Sequence, residues 1–475
     1  MAHAAFRLRF SAVFGLAILA LCLTVELAAE PLSSNISASP IIALPGLVLT
    51  NAEQVHWLTR QQAGKRIPVL IRGVVTCALP GFGAAVVQDD TAGIYIDHWS
   101  SSIGTPPQVG DRVQVVGVTD PGQFAPRVVA SRIDRFGTAS LPSPVRPYWD
   151  QLINGSLDTE FVEIEGIITS VRESSITLLT HGGKVNVMVF DTYGGTNDIA
   201  LKPYEDALIR LRGCLFAAWD ATNHEVNVSE IRMYAPSLAV VEPAPPDPYA
   251  IETKQVSDLL QFDPHASALR QVKVRGQIVQ QQDGEYFAMN GTDGFRFIPR
   301  ESFADPNGPA GKLPALTNGD LVEVAGFPGL TGPSPVLQEA VVRKIGVAPL
   351  PRARELNSTN LFQAQNDAVR VRVEAVLLNV SDNQRTLEMQ AGLQRFVARI
   401  HGDGRAALPL GSLLALTGVY AGNGGNRTAG IEVANFELLL DSVSDIQVLK
   451  IAPFWTLPRL LILIGALVGV LCLAI

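Results

Sequence analysis

The sequence has 475 residues, of which 47% are apolar, 17% charged and 7% aromatic. At roughly 100–200 residues per domain this is length for about three or four domains, and charge well below the usual ~25% excludes a disordered or coiled-coil chain. The formal net charge is −8, and outside residues 1–30 and 454–475 there are 34 basic against 43 acidic residues. That balance repels phosphate backbones, so nucleic acid is not expected as a partner.

Residues 1–29 read as an export segment. Arg7 and Arg9 precede 15 uncharged residues, Ser11 to Val25, and small residues at Ala28 and Ala29 follow. Fifteen residues cover about 22 Å of helix against a ~30 Å hydrocarbon core, which leaves both a cleavable signal peptide and an uncleaved signal anchor open. Residues 30–49 are a linker.

Four copies of one pattern follow, over residues 50–144, 145–248, 249–351 and 352–449. The first anchor is VLIRGVVT at 69–76, and it recurs as VEIEGIIT at 162–169, VKVRGQIV at 272–279 and, more weakly, VRVEAVLL at 371–378. A second anchor follows each one: GDRVQVVG (110–117), DALIRLRG (206–213), GDLVEVAG (319–326) and GSLLALTG (411–418). Apolar and polar residues alternate in both, the signature of half-buried strands. Between the anchors a hairpin is expected, with a loop ending in Gly93, Gly183, Gly294 or Gly392 that fits a turn needing positive φ. Short apolar stretches lead into the repeats (Val55–Leu58, Trp149–Leu152, Val256–Leu259, Asn360–Phe362), and Thr50 to Glu53 spells a capping box for a brief helix. Pro-rich joints close the first three units at Leu141–Pro144, Pro243–Pro248 and Pro349–Pro351.

Each unit thus supplies about five strands, with Gly73, Gly117, Gly166, Gly213, Gly276, Gly326 and Gly418 as structural glycines that let a strand coil sharply. The expected fold class is all-β: four tandem five-stranded OB-like barrels with short leading helices. A generic β-sandwich array has the same strand count. Residues 450–475 read as a transmembrane helix. Its uncharged run, Leu460 to Ile475, spans about 24 Å and stops with the sequence, so the chain is expected to be the front part of a longer protein.

The runs at 69–76, 87–96 (VQDDTAGIYI), 110–117 and 121–126 (PGQFAP) resemble the OB-like repeats in the periplasmic N-terminal input regions of bacterial, Verrucomicrobia-like, membrane-bound two-component sensor histidine kinases. The resemblance covers about residues 45–475 and is weak in the fourth repeat. It implies extracytoplasmic sensing coupled to a cytoplasmic kinase module in cis. The chain departs from the family in having no phosphoacceptor motif and no ATP-binding region, so no kinase activity is assigned to it.

No motif for chemistry stands out. The seven histidines are scattered, no CxxC occurs, and Asp89, Asp90 and Asp97 read as hairpin-loop residues before they read as calcium ligands. Neither catalytic residues nor a metal or other cofactor is expected. Cys77 and Cys214, 137 positions apart in different repeats, read as separate buried thiols before they read as a disulfide. OB-fold geometry puts a ligand on the face of strands 2–3 and the neighbouring loops, which in repeat 1 points to Phe82, Gln88, Tyr95, Trp99 and Phe124. The same rings could instead fill the barrel core or pack on the next repeat. The expectation is a non-catalytic sensory or ligand-binding region with an extracytoplasmic ligand or protein partner. It is held at the inner membrane with most of the chain periplasmic, and homodimerisation is expected. The alternative is a structural or adhesive β-repeat array on the cell surface.

Overall fold

The computed structural model describes residues 48–100, 105–172, 175–190, 201–300, 315–381, 384–402, 408–452, 463–466 and 469. The expected signal segment, nearly all of the linker and most of the expected transmembrane segment lie outside these residues. Among the described residues no helix is long and apolar enough to cross a membrane.

The chain is mostly β, and its strands fall into four sheets at the four expected repeats. Barrel 1 comprises β1 (Pro68–Leu79), β2 (Ala84–Gln88), β3 (Gly93–Asp97), β4 (Asp111–Asp120) and β5 (Arg127–Thr138). Barrel 2 comprises β6 (Phe161–Arg172), β7 (Ser175–Leu179), β8 (Lys184–Phe190), β9 (Leu208–Trp219) and β10 (Val226–Glu242). The third sheet holds β11 (Thr253–Lys254), β12 (Val272–Gln282), β13 (Glu285–Asn290), β14 (Asp293–Pro299), β15 (Asp320–Gly329) and β16 (Val336–Val347). The fourth holds β17 (Arg354–Leu356), β18 (Arg370–Val380), β19 (Thr386–Ala391), β20 (Gln394–Ile400), β21 (Leu413–Asn423), β22 (Asn435–Leu440) and β23 (Ile446–Lys450).

One connectivity serves all four. In barrel 1 the first three strands form a meander, β3 pairs parallel with β5, β5 pairs antiparallel with β4, and β4 closes back on β1. Barrel 2 closes in the same way, and the pairings β12–β15 and β18–β21 join the ends of the other two sheets. Alternation drives the closure: along β4, Val113 and Val115 are buried while Arg112 and Gln114 face outward. A lead-in segment also pairs parallel with each first strand, as Leu49 with Val69, Val145 with Val162, β11 with β12 and β17 with β18.

The sharp bend of the first strand is a β-bulge. The register slips between Val75 and Cys77, Ile168 and Ser170, Ile278 and Gln280, and Leu377 and Asn379, the same offset from the anchor in every repeat. None of the seven anchor glycines has positive φ. What they supply is room: a Cβ on Gly73 would lie 2.4 Å from the Gln88 carbonyl oxygen. Gly93 and Gly294 likewise lack the positive φ expected of a closing turn residue and are explained by close approach to the following barrel, described below, whereas Gly183 and Gly392 have it.

Helices lead into the first two barrels: α1 (Ala52–His56), α2 (Arg60–Ala63) and α3 (Trp149–Ile153). The cap of α1 is Asn51, whose side chain accepts from Gln54 N at 2.9 Å, one residue later than the capping-box spelling places it. Before barrels 3 and 4 the helical turns are 3-10, at Ser257–Leu260 and Ala364–Asn366.

Candidate functional site

Barrels 1 and 2 meet through backbone. A Cβ on Gly93, at the start of β3, would lie 2.1 Å from the Thr159 carbonyl oxygen, so only glycine allows this approach. Around it Gly93 N donates to Glu160 Oε1 (2.8 Å), Thr159 Oγ1 donates to Gly93 O (3.0 Å) and Phe161 N donates to Gln88 Oε1 (3.1 Å). Cys77 and Cys214 lie side by side in the apolar seam of this joint, with Leu79, Ala84 and Val86. Both are buried free thiols, so they are neither bridged nor separate. Burial, reinforced by the Cys77 thiol, pushes the Cys214 thiol well above its ordinary range.

Beside the seam opens a cleft of about 270 Å³. Barrel 1 contributes Phe82, from the 3-10 turn after β1, Tyr95 on the outer face of β3, and Phe124 in the β4–β5 loop. Barrel 2 contributes Phe216 and Trp219 from β9, and Arg232 and Tyr234 from β10. The rings meet across the joint: Phe82 and Tyr234 edge-on at 6.1 Å, Tyr95 and Phe216 edge-on at 6.2 Å, and Phe124 and Trp219 nearly parallel at 6.3 Å. The Arg232 guanidinium lies 6.0 Å from the Trp219 ring centre, within reach of a cation–π contact.

The acid of the cleft is Asp158. Its Oδ1 accepts from Ala217 N at 2.8 Å, and among the described residues it has no ion pair. Burial raises its carboxyl to about 7, opposed by the Ala217 N–H and by the charge of Arg232. The Tyr95 phenol is pushed up to about 12, by burial first and then by Asp97. Arg127, at the rim, is held by Asp97 and Asp120 at 2.9 Å each.

Two larger cavities contain ion-paired side chains. One, of about 480 Å³ beside α3, contains Glu163, which pairs with Arg146, Arg210 and Arg212. The other, of about 520 Å³ against barrel 3, contains Asp263 paired with Lys254 and Arg270 paired with Glu242. Only in the aromatic cleft does an acid without an ion-pair partner among the described residues face open volume lined by rings.

Of the five residues that the sequence marks, Phe82, Tyr95 and Phe124 come together here. They both pack on the next repeat and line the cleft, so the two readings of these rings coincide. Gln88 is buried in the joint as a hydrogen-bond acceptor. Trp99 is buried with its Nε1 donating to Thr105 O at 2.8 Å, away from the cleft. Sequence reasoning missed Asp158, Phe216, Trp219, Arg232 and Tyr234. Their signal was present, since aromatic residues are sparse and three of these rings sit just after the second anchor and in the last strand of repeat 2. Asp89 caps the amide of Ala52 (2.8 Å) and its own loop, as its turn reading implies.

No family model matches the sequence, and no curated protein matches it. Among solved structures, a murine DNA-binding protein bound with double-stranded DNA aligns at TM-score 0.21 and 12% identity, over 39% of this chain and 98% of that one. The Ifi202 HINa domain in complex with 20-base-pair double-stranded DNA aligns at TM-score 0.16 and 10% identity, over 40% and 98%. An aspartyl-tRNA synthetase from Leishmania major Friedlin aligns at TM-score 0.18 and 13% identity, over 23% of this chain and 24% of its own. This chain therefore spans about a quarter of that synthetase. These matches correct the exclusion of nucleic acid: two of the matched proteins hold DNA, and a charge summed over a whole chain does not decide what one face of one barrel binds. The correction goes no further, because similarity at this level carries no argument for what this chain itself binds.

Proposed function

We propose that this chain is a non-catalytic, extracytoplasmic sensory region of a membrane-bound signalling protein, built from four OB-type barrels, and that the cleft between barrels 1 and 2 is where it meets its ligand. The observation that carries this reading is the convergence of aromatic rings from two barrels on one acid in open volume. Small-molecule sites favour domain boundaries, lined by rings with few polar groups. A ligand held by two bodies also biases their relative position, which is the simplest way for binding to become a signal. The sequence resemblance adds a cytoplasmic kinase module in cis and an inner-membrane location.

The test is an alkaline phosphatase fusion after Ala452, combined with limited proteolysis of intact spheroplasts. An active fusion and protease-accessible barrels are expected. A stable but inactive fusion with all four barrels protected overturns the extracytoplasmic location. Tight binding of double-stranded DNA at physiological salt, unaffected by Phe124→Ala and Trp219→Ala, would replace the ligand-cleft reading with nucleic-acid binding. A second reading, a surface stalk, is favoured by the dense bonding of the joints, such as Gly93 on Thr159 and Arg296 on Asp367.

A further inference from the structure

The joint between barrels 3 and 4 repeats the joint between barrels 1 and 2, residue for residue. Asp158 and Asp367 each lie eight positions before the first-anchor residue, Gly166 or Ala375. Ala217 and Gly422 each lie four positions after the second anchor glycine, and each donates its amide to that aspartate, at 2.8 and 2.6 Å. Thr159 and Ala368, next in sequence, both have positive φ, 70° and 58°. Gly294 packs on the carbonyls of Asp367 and Ala368 as Gly93 packs on that of Thr159.

The difference lies in what faces the acid. Two residues after Gly294 stands Arg296, whose Nε donates to Asp367 Oδ2 at 2.9 Å and whose Nη2 donates to Asp367 Oδ1 and to Gly422 O. Its guanidinium also lies 4.7 Å from the Phe287 ring centre. Two residues after Gly93 stands Tyr95, so in barrel 1 the cationic plug is replaced by a ring and the space is open. Ser334, which donates to Asp367, has Ala125 as its counterpart.

We propose that the cleft between barrels 1 and 2 binds a small organic cation, a guanidinium or alkylammonium compound, whose charge takes against Asp158 the place that Arg296 takes against Asp367. This rests on the reading of the cleft as the ligand site and names the class of ligand. The surroundings fit that class. Phe82, Tyr95, Phe124, Phe216, Trp219 and Tyr234 present rings, and ring faces attract cations. Arg127 is neutralised by Asp97 and Asp120, and Arg232, the remaining cation of the lining, leans on Trp219. Asp158 is the one acid among the residues that line the cleft. Burial holds the Asp158 carboxyl near neutral pH, and a bound cation would favour its ionised form.

The experiment is titration of the full chain, purified in detergent, with agmatine and with choline at pH 8, read by calorimetry and by tryptophan fluorescence. Saturable binding of at least one is expected, with Asp158→Asn weakening it about tenfold or more. Tyr95→Arg, which builds the barrel-3 plug into barrel 1, is expected to abolish binding while leaving the protein folded by circular dichroism. If Asp158→Asn and Tyr95→Arg bind the cations as tightly as the parent, the proposal fails. If neither cation binds but acetate or glucose does, and that binding is lost in Phe124→Ala, the cation is refuted and the cleft stands as a ligand site. If none of the four binds the folded chain, the cation is refuted and the cleft loses its support as a ligand site.

Discussion

Replacing Arg296 with methionine isolates the strongest polar contact between barrels 3 and 4. The Asp367 side chain is 0% exposed and that of Arg296 only 14%, so solvent screens the pair little. With the guanidinium gone, the carboxylate keeps the Gly422 amide and the Ser334 hydroxyl but loses both bonds from Arg296 and all compensating charge. Removing one partner of a buried pair costs about 3–5 kcal/mol, while the half-buried Glu285 at the edge of the site adds about 0–1 kcal/mol. Hydrogen exchange of β18 and β21 amides should therefore accelerate about 10²- to 10⁴-fold, with barrels 1 and 2 unchanged. Adding Asp367→Asn to Arg296→Met removes the stranded charge and should recover most of the loss. A deficit below about 1 kcal/mol, or no recovery in the double variant, refutes the assignment of a charge-compensated joint.

Gly73→Val places a side chain 2.4 Å from the Gln88 carbonyl oxygen and should destabilise barrel 1 by about 1–3 kcal/mol; unchanged melting would show that β1 and β2 do not approach this closely. The Cys77 and Cys214 thiols should resist a charged thiol reagent until the chain is unfolded, because both are buried and the Cys214 thiolate is disfavoured; labelling of the native protein at the rate of a free thiol counts against the seam. Asp158 binds its proton more tightly when folded, at about 7 against 3.8, so its contribution to stability is complete below about pH 4 and lost as pH rises to 7. Asp158→Asn should flatten the melting temperature across that window relative to the parent, in which Glu160 (raised by burial) and His56 (lowered by burial) titrate unchanged; identical profiles refute the buried carboxyl.

Much of this fold was written locally. Strand alternation and the recurring anchors placed β1, β4, β6, β9, β12, β15, β18 and β21, because these strands have one buried face and a period of two expresses it directly. The reason for the glycines was not legible, since dihedral need and lack of space leave the same letter in the sequence. The parallel lead-in pairings were missed because two-residue bridges have no periodicity. The site was half legible for a related reason. Its barrel-1 rings stand near a hairpin loop where OB geometry points, whereas Asp158 sits inside repeat 2, between its lead-in and its first anchor, where no motif marks it. Only the register of one barrel against the next turns that aspartate toward the rings. Cys77 and Cys214 were misjudged in the same way, because distance along the sequence says nothing about a seam between neighbours.

Comparing the three joints at one position separates what holds barrels together from what serves another purpose. At the joint between barrels 2 and 3 the counterpart of Asp158 and Asp367 is Ala268, and the counterpart of Ala217 and Gly422 is Leu330. There the contact is made by Ile167, Leu179, Leu269 and Phe327, with Arg300 on Asp206 and Lys184 on Glu339 beside it, and Ala268 and Leu330 line the apolar cavity of about 520 Å³. A joint of this kind therefore forms without an acid at this position. Where an acid is present and plugged, as at Asp367, the arginine offsets the cost of burying it. Where it is present and open, as at Asp158, burial works against the charged form and no ion pair among the described residues offsets it. Beyond accepting the Ala217 amide, joining the barrels gives no reason for a carboxyl there. A positive group arriving from outside the chain does, and it would find in the six surrounding rings what Arg296 finds in Phe287.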